Sequence, residues 1–293
     1  MSDPQYYLEV GVDVPLRHVD AVCNFIIENI SNGIILEDEE DALSTLIKFY
    51  LPEEDDKEYD VKLNEYFQSL AQLDEAFTEL PELHVKQVQN IEWEEAYKKS
   101  VPSVLIAGDV VVRPPWEVKP EKVNYDILIE PKMAFGTGTH ETTRTCLIAI
   151  REKFSEGMSL LDMGCGSGIL SILADKMKAG YIKAVDYDKI AVDNCWENFE
   201  LNRVVAKHDV LHGSIETCAG DSPFDFVCAN IIKVTVLEML EDLARLTKEQ
   251  GYLVLSGLLD HDLPDIEASL KAFGLDQYEI IAENEWRTFV IKK

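Results

Sequence analysis

The sequence predicts an α/β protein whose main body is a mostly parallel sheet covered by helices on both faces, with a smaller α+β unit ahead of it. Three observations predict it. From residue 103 onward, strand-like apolar runs alternate with helix-periodic stretches. Within that region, residues 160–168 (LLDMGCGSG) read as a buried strand, a glycine-rich turn and a helix start, and Asp186 closes the next strand-like run. The chain then finishes with two strand-like runs, 278–282 and 288–291, with no helix between them, so the last strand must return antiparallel.

Composition narrows the class. The 293 residues are 46% hydrophobic, enough to build a core in each of two domains. No apolar run approaches the roughly 20 residues that span a bilayer. The start, Met1-Ser2-Asp3-Pro4, lacks the basic-then-apolar pattern of a secretion signal. The six cysteines (23, 146, 165, 195, 218 and 228) form no Cys-x-x-Cys pair and no His/Cys cluster. They read as reduced structural thiols of a cytoplasmic protein, and no metal site is expected. The net charge is −28, with 10 basic against 29 acidic side chains over residues 1–130 and 17 against 26 in the remainder. Such a surface repels nucleic-acid phosphates and anionic membranes and favours a basic protein partner, although the same acidity also serves plain solubility.

The elements follow in order. Residues 7–14 alternate as a strand, and Val19, Val22, Cys23, Ile26, Ile27 and Ile30 recur at helical spacing. Asn32-Gly33 marks a turn, with a second strand over 33–36. A second set reads as a strand over 59–63, a helix to about residue 80 ended by Pro81, and a strand over 83–88. This order predicts a ferredoxin-like unit over 1–88, with the acidic run 53–58 as a solvated loop. Residues 89–102 read as a linker whose short helix, 92–99, is stopped by Pro102. The third region, 103–293, opens with lead-in strands at 104–106 and 110–112 and a strand-like run at 125–130. A helix over 140–153 leads into the sheet proper. There, strands at 160–163, 182–186, 224–229 and 252–255 alternate with helices at 169–177, 190–201, 234–246 and 263–273.

Three strings carry the chemistry. The first is the turn Gly164-x-Gly166-x-Gly168. Glycines let the backbone pass close to a ligand, and the helix start offers free N–H groups. A dinucleotide would set its pyrophosphate there, but the carboxylate of Asp162 at the mouth of the turn repels one. It suits a cofactor with a cationic end, and S-adenosylmethionine has an ammonium, a sulfonium and no phosphate. Asp186 is then placed to accept from the ribose hydroxyls. The second string is Met133 to Thr143, MAFGTGTHETT, where Gly136 and Gly138 flank Thr137 in a backbone able to wrap a ligand. Thr142 and Thr143 offer hydroxyls and N–H groups to the methionine carboxylate, Phe135 offers an apolar wall, and His140 is a candidate base. The third is Ala229-Asn230-Ile231-Ile232, at a strand end on the same edge. There the Asn230 side-chain carbonyl can orient an amine. The candidate catalytic residues are therefore Asn230, Phe135 and His140. The candidate cofactor residues are Thr143, Gly164, Asp186, Asn230, Gly136, Thr137, Gly138, Asp162 and Gly166.

With the terminal strand pair, these strings point to the class I Rossmann-like methyltransferase fold rather than the dinucleotide-binding fold. Taken together, 134–143, 162–170 and 229–231 resemble the bacterial methyltransferases of large-subunit ribosomal protein L11. The likeness is close over about 125–260, and Trp93-Glu94-Glu95-Ala96-Tyr97 is similar to that family's linker helix. Residues 1–88 match in position and topology only, being longer and more acidic. The resemblance implies an S-adenosylmethionine-dependent protein N-methyltransferase with cofactor contacts at Thr143, Gly164, Asp186 and Asn230. It also implies an N-terminal domain that binds the ribosomal protein, and a linker that lets the two domains reorient. The implied products are methylated lysine ε-amines and N-terminal α-amine, up to the trimethyl level. The chain is expected to work as a monomer. Other readings remain at this point: a methyltransferase for another protein or a small molecule, a nicotinamide oxidoreductase, or a cofactor-binding ribosome-assembly factor without activity.

Overall fold

In the computed structural model the chain opens with β1 (Tyr6–Pro15), whose Val10, Val12 and Val14 are buried on one face. Residues 6–31, 33–37, 44–52, 59–73, 80–89, 98, 101–130 and 138–293 are described. Helix α1 (Val19–Asn29) lays Val22, Cys23 and Ile26 into the same core as β1. Strands β2 (Ile34–Glu37) and β3 (Ser44–Pro52) follow, β3 burying Ile47, Phe49 and Leu51 at every second position. Helix α2 (Tyr59–Leu73) adds Leu63 and Phe67, and β4 (Leu83–Gln89) closes the unit. The sheet order is β2-β3-β1-β4 with every neighbour antiparallel, which is the ferredoxin-like arrangement.

Two expectations for this unit need correction. Residues 59–63 are not a strand but the first turn of α2. Tyr59, Leu63, Phe67 and Leu70 recur at helical spacing and pack on one core, and that period outweighs the brief local alternation. The unit's missing strand is β3, which the sequence reading passed over. The acidic run 53–58 and, apart from Lys98, the linker helix over 92–99 lie outside the described residues.

The chain divides into two compact units, Met1–Pro102 and Ser103–Lys293. The second unit begins with β5 (Val104–Ile106), β6 (Val110–Arg113) and β7 (Tyr125–Leu128). These form a small sheet of their own, with β5 antiparallel and β7 parallel to β6. After α3 (Glu141–Lys153) the main sheet is laid down: β8 (Ser159–Met163), α4 (Ile169–Lys176), β9 (Tyr181–Asp186), α5 (Lys189–Asn202), β10 (Lys207–His212) and β11 (Phe224–Asn230). It continues through α6 (Lys233–Leu246), β12 (Thr247–Leu259), α7 (Leu263–Ala272), β13 (Tyr278–Glu283) and β14 (Trp286–Lys292). The order is β10-β9-β8-β11-β12-β14-β13. Neighbours from β10 to β12 are parallel, and β14 runs antiparallel to both β12 and β13, as the terminal strand pair predicts.

Burial on both faces explains the apolar strands. In β8 and β11, Leu160, Phe226 and Cys228 join one core layer with Leu147, Ile150 and Ile172 from the helices. Leu161, Val227 and Ala229 join the other, with Leu240, Leu243 and Ile266. Strand β10 escaped the sequence reading because it is an edge strand, where only Val210 is buried. Strand β12 is longer than expected and carries an irregularity between Leu255 and Leu258. The chain goes one way from β8 through β9 to β10, then returns to the other side of β8 with β11. That reversal opens a crevice at the carboxyl ends of β8 and β11, the usual ligand position in open α/β sheets. Among the described residues no helix is long and apolar enough to cross a membrane, and all six cysteines are buried free thiols.

Candidate active site

The glycine turn is hooked over the neighbouring strand. Gly164 N and Cys165 N both donate to Val185 O of β9, at 2.8 and 3.1 Å, and Gly168 N donates back to Cys165 O at 2.8 Å. Two of its glycines are required by shape. Gly164 has φ +74°, and a Cβ there would overlap Ile231 Cγ2. Gly168 has φ +78°, and a Cβ would stand 2.6 Å from Cys195 Sγ and 2.9 Å from a Phe199 ring carbon. Asp186, at the end of β9, ties the turn down: one carboxylate oxygen accepts from Gly166 N at 2.9 Å and the other from Asp188 N at 3.0 Å. Each oxygen keeps a second lone pair for a ligand.

Asp162 sits beneath this turn and is only 1% exposed. Its Oδ2 accepts from the Ser171 hydroxyl of α4 at 2.7 Å, whereas Oδ1 is buried without a partner. Burial pushes its pKa up to about 7; the Ser171 hydroxyl and N–H pull it down, and the Asp186 charge adds to the rise. A buried oxygen left unpaired is costly, and such sites in folded proteins mark a place for a ligand, ion or water. Thr143, in the first turn of α3, shows the same feature: it is 1% exposed and its Oγ1 is unpartnered.

Helix α3 starts under firm control. His140 is its N-cap, with Nδ1 accepting from Thr142 N at 3.2 Å and 2.8 Å from Thr142 Oγ1. Its ring meets Trp286 edge-on at 4.9 Å. Gly138, with φ +89°, lies just before it. Behind the helix, Thr145 and Ser256 both hydrogen-bond Thr288 Oγ1, at 2.7 and 2.6 Å. This buried chain links α3 to β12 and β14.

Asn230 ends β11, in register with Ser256 of β12. The next residue, Ile231, lies between two glycines: its side chain covers Gly164 and its backbone lies against Gly257, at φ +80°. A Cβ on Gly257 would overlap Ile231 O and stand 2.9 Å from its carbonyl carbon. Ile232 then projects outward, and Lys233 pairs with Asp262 at 3.0 Å and Asp265 at 2.8 Å.

Of the residues singled out in the sequence, Asp162, Gly164, Gly166, Asp186 and Asn230 come together at the carboxyl ends of β8, β9 and β11. Thr143 and Gly138 flank the start of α3, and His140 caps it. Phe135, Gly136 and Thr137 lie outside the described residues. Sequence reasoning missed Ser171, Ser256, Gly257 and Asn198. A glycine inside the apolar run of β12 is a legible signal of close backbone approach. Asn198 and Ser256 have no local signal, since their partners come from distant segments, whereas Ser171 bonds Asp162 only nine residues away within the same strand–turn–helix.

A seven-stranded sheet with this order, an antiparallel β14, and acidic ends on β8 and β9 around a glycine turn define a Rossmann-like methyltransferase. The chain belongs to the family "Ribosomal protein L11 methyltransferase (PrmA)", whose profile matches residues 6–293. It is 34% identical over 293 residues to a ribosomal protein L11 methyltransferase of Nitratiruptor sp., covering 98% of this chain and 96% of that one. It is 36% identical over 246 residues to one of Desulfitobacterium hafniense, covering 83% and 77%. Among solved structures, the ribosomal protein L11 methylase of Lactobacillus delbrueckii subsp. bulgaricus matches with a TM-score of 0.58 and 25% identity, over 65% of this chain and 98% of that chain.

Gly257→Ala tests the clamp on Ile231. Its Cβ meets backbone rather than a flexible side-chain end, so Ile231, and Asn230 with it, must move. A shift of that kind is expected to lower methyl-transfer turnover about tenfold. Steady-state kinetics on a variant whose circular dichroism matches the parent would measure it, and unchanged turnover would remove Gly257 from the account.

Proposed function

We propose that this protein transfers methyl groups from S-adenosylmethionine to amines of ribosomal protein L11, the lysine ε-amines and the N-terminal α-amine. The observation that carries the cofactor reading is the buried, unpartnered Asp162 Oδ1 at the crevice between β8 and β11. It offers an acceptor with no protein donor, which fits an ammonium group. The substrate reading rests on membership of the family and on names given to relatives over nearly the whole chain. The net charge of −28 supports it, because a basic ribosomal protein is drawn to an acidic surface. We further propose that residues 1–88 bind the substrate, that 89–102 link the two domains, that 103–293 hold the chemistry, and that the enzyme works as a cytoplasmic monomer.

The residues divide the labour. Asp162 accepts from the cofactor ammonium, Thr143 offers its hydroxyl to the methionine end, and Asp186 accepts from the ribose hydroxyls. Gly164 and Gly166 let the turn lie against the ligand, with Gly136, Thr137 and Gly138 assigned to the same lining. When bound, S-adenosylmethionine supplies a methyl group on a positively charged sulfur, whose departure as a neutral thioether needs no acid. Asn230 accepts from the substrate amine through its side-chain carbonyl and so fixes where the lone pair points. The amine must be neutral to react, yet free lysine has a pKa near about 10.4. Surface carboxylates raise it further, so we propose that the proton passes to water as the amine enters the drier ground beside Ile231, and we assign Phe135 from the sequence as an apolar wall. His140 serves as the helix cap, and we assign it no proton transfer.

Mass spectrometry of purified ribosomal protein L11, incubated with the protein and S-adenosylmethionine, tests the proposal. Added mass in single-methyl steps on amines is expected. Cofactor binding without added mass would send the substrate elsewhere, and no cofactor binding would undo the reading. Asn230→Ala is expected to lower turnover about thirtyfold, the scale of a positioning contact near the reacting group. Full turnover with normal cofactor binding would exclude that role.

A further inference from the structure

Helix α5 carries three asparagines one turn apart, Asn194, Asn198 and Asn202, on the side facing the glycine turn and β7. Asn198 is fully buried. Its Nδ2 donates to Ser167 O, within the glycine turn, at 3.0 Å, and to Asn194 Oδ1 at 3.1 Å. Its Oδ1 accepts from Glu130 N, just past the end of β7, at 3.1 Å. Both amide hydrogens and the carbonyl are therefore in use, which fixes the amide plane. Asn202, one turn on, reaches β7 and not the turn: its Oδ1 accepts from Leu128 N at 2.9 Å, and its Nδ2 donates to Leu128 O at 2.6 Å and to Asn198 O at 2.8 Å.

Of the three asparagines, Asn198 is the one that hydrogen-bonds the turn among the described residues. Ser167 O belongs to the same peptide group as Gly168 N, which donates to Cys165 O at 2.8 Å. Holding that carbonyl toward α5 fixes the orientation of the peptide plane, and with it the direction of the N–H groups at the turn and the start of α4. Glycines leave a turn free to adopt several backbone states, so its binding shape has to be imposed from outside. On the other side Asp186 imposes it through Gly166 N.

We propose that Asn198 is a positioning residue for the cofactor: through Ser167 O it holds the glycine turn in its binding shape before the ligand arrives. The inference rests on the S-adenosylmethionine reading above. A turn that must be ordered on binding lowers affinity without changing the chemistry once the site is full.

Asn198→Asp is the sharpest test. A carboxylate still accepts from Glu130 N but sets oxygen against oxygen at Ser167. The variant is expected to raise the Kd and KM for S-adenosylmethionine about tenfold or more while kcat at saturation stays within about twofold. Asn198→Ser, which removes both arms without burying a charge, is expected to do the same and serves if Asn198→Asp does not fold. Asn202→Ala, on the same helix and the same strand, is expected to lower Tm but leave the Kd within about twofold. Amide hydrogen exchange on the unliganded protein reads the turn without any ligand: faster exchange at Gly164 to Gly168 is expected in the Asn198 variants and not in Asn202→Ala. Folded Asn198 variants with parental Kd and parental exchange would overturn the proposal. Failure of the parent itself to bind S-adenosylmethionine would instead strike the cofactor reading, and the exchange comparison would still decide whether Asn198 holds the turn.

Discussion

Asp162→Asn is expected to weaken S-adenosylmethionine binding about fiftyfold and, at neutral pH, to raise the Tm. The two effects have one cause. Burial, Ser171 and Asp186 leave the Asp162 pKa at about 7 in the unliganded protein, against an ordinary carboxylate value of 3.8. A charged hydrogen bond to the ligand ammonium contributes about 1.5–3 kcal/mol, and an uncharged amide forfeits most of it. The sign of the stability effect follows from linkage. A folded pKa raised above the unfolded one means the burial penalty is absent below the unfolded pKa and complete once the pH passes the folded pKa. Asp162→Asn is therefore expected to match the parent near pH 4 and to exceed it above pH 7, by on the order of 4 kcal/mol at most. Thermal melts across that range would show the two curves separating.

The same titration makes binding depend on pH. A ligand ammonium favours the ionised carboxyl, so affinity falls as the pH drops below about 7. Allowing for an α-amine pKa near about 7.7–8.0 on the ligand, binding at about pH 6 is expected to be about fivefold weaker than at about pH 7.5. Calorimetry in buffers of different ionisation enthalpy would count the proton released. Parental binding that is flat with pH, together with parental affinity in Asp162→Asn, would show that Oδ1 does not meet the ligand cation.

Gly164→Val is expected to abolish cofactor binding, by at least about a hundredfold, and to lower stability by about 2–4 kcal/mol. Two costs add. The residue has φ +74°, which a β-branched residue adopts only with strain, and its Cβ would overlap Ile231 Cγ2. Relieving the overlap pushes Ile231 off the turn, which disturbs Asn230 and the hooks from Gly164 N and Cys165 N to Val185 O. Pairing the substitution with Ile231→Ala separates the costs. The double variant should recover part of the stability and little of the affinity, since the backbone strain remains. Full recovery of both would show that side-chain crowding alone was at work.

How legible the site was depends on how far apart its partners lie in the chain. Asp162, the glycines and Asp186 fall within 25 residues of one another and follow a strand–turn–helix–strand period, so spacing alone brought them together. Thr143 and Asn230 were legible through neighbouring residues and strand ends. Asn198 and Gly257 were different. Each acts on a segment that the fold brings to it, as Asn198 does on Ser167 and Glu130. Strands β3 and β10 were missed for related reasons. β10 buries one residue at a sheet edge, and β3 belongs to a sheet whose order no local pattern states.

The sequence by itself determined the α/β class, the antiparallel last strand, the glycine turn and its two carboxylates, and the family resemblance. Those are written in periodicity and short-range spacing, which act along the chain. The tertiary structure decided that Asp162 keeps one oxygen unpaired, that Ile231 is held between Gly164 and Gly257, and that Asn198 grips the turn. Burial, hydrogen-bond satisfaction and close approach arise between segments far apart in sequence, and they exist only once the chain has folded.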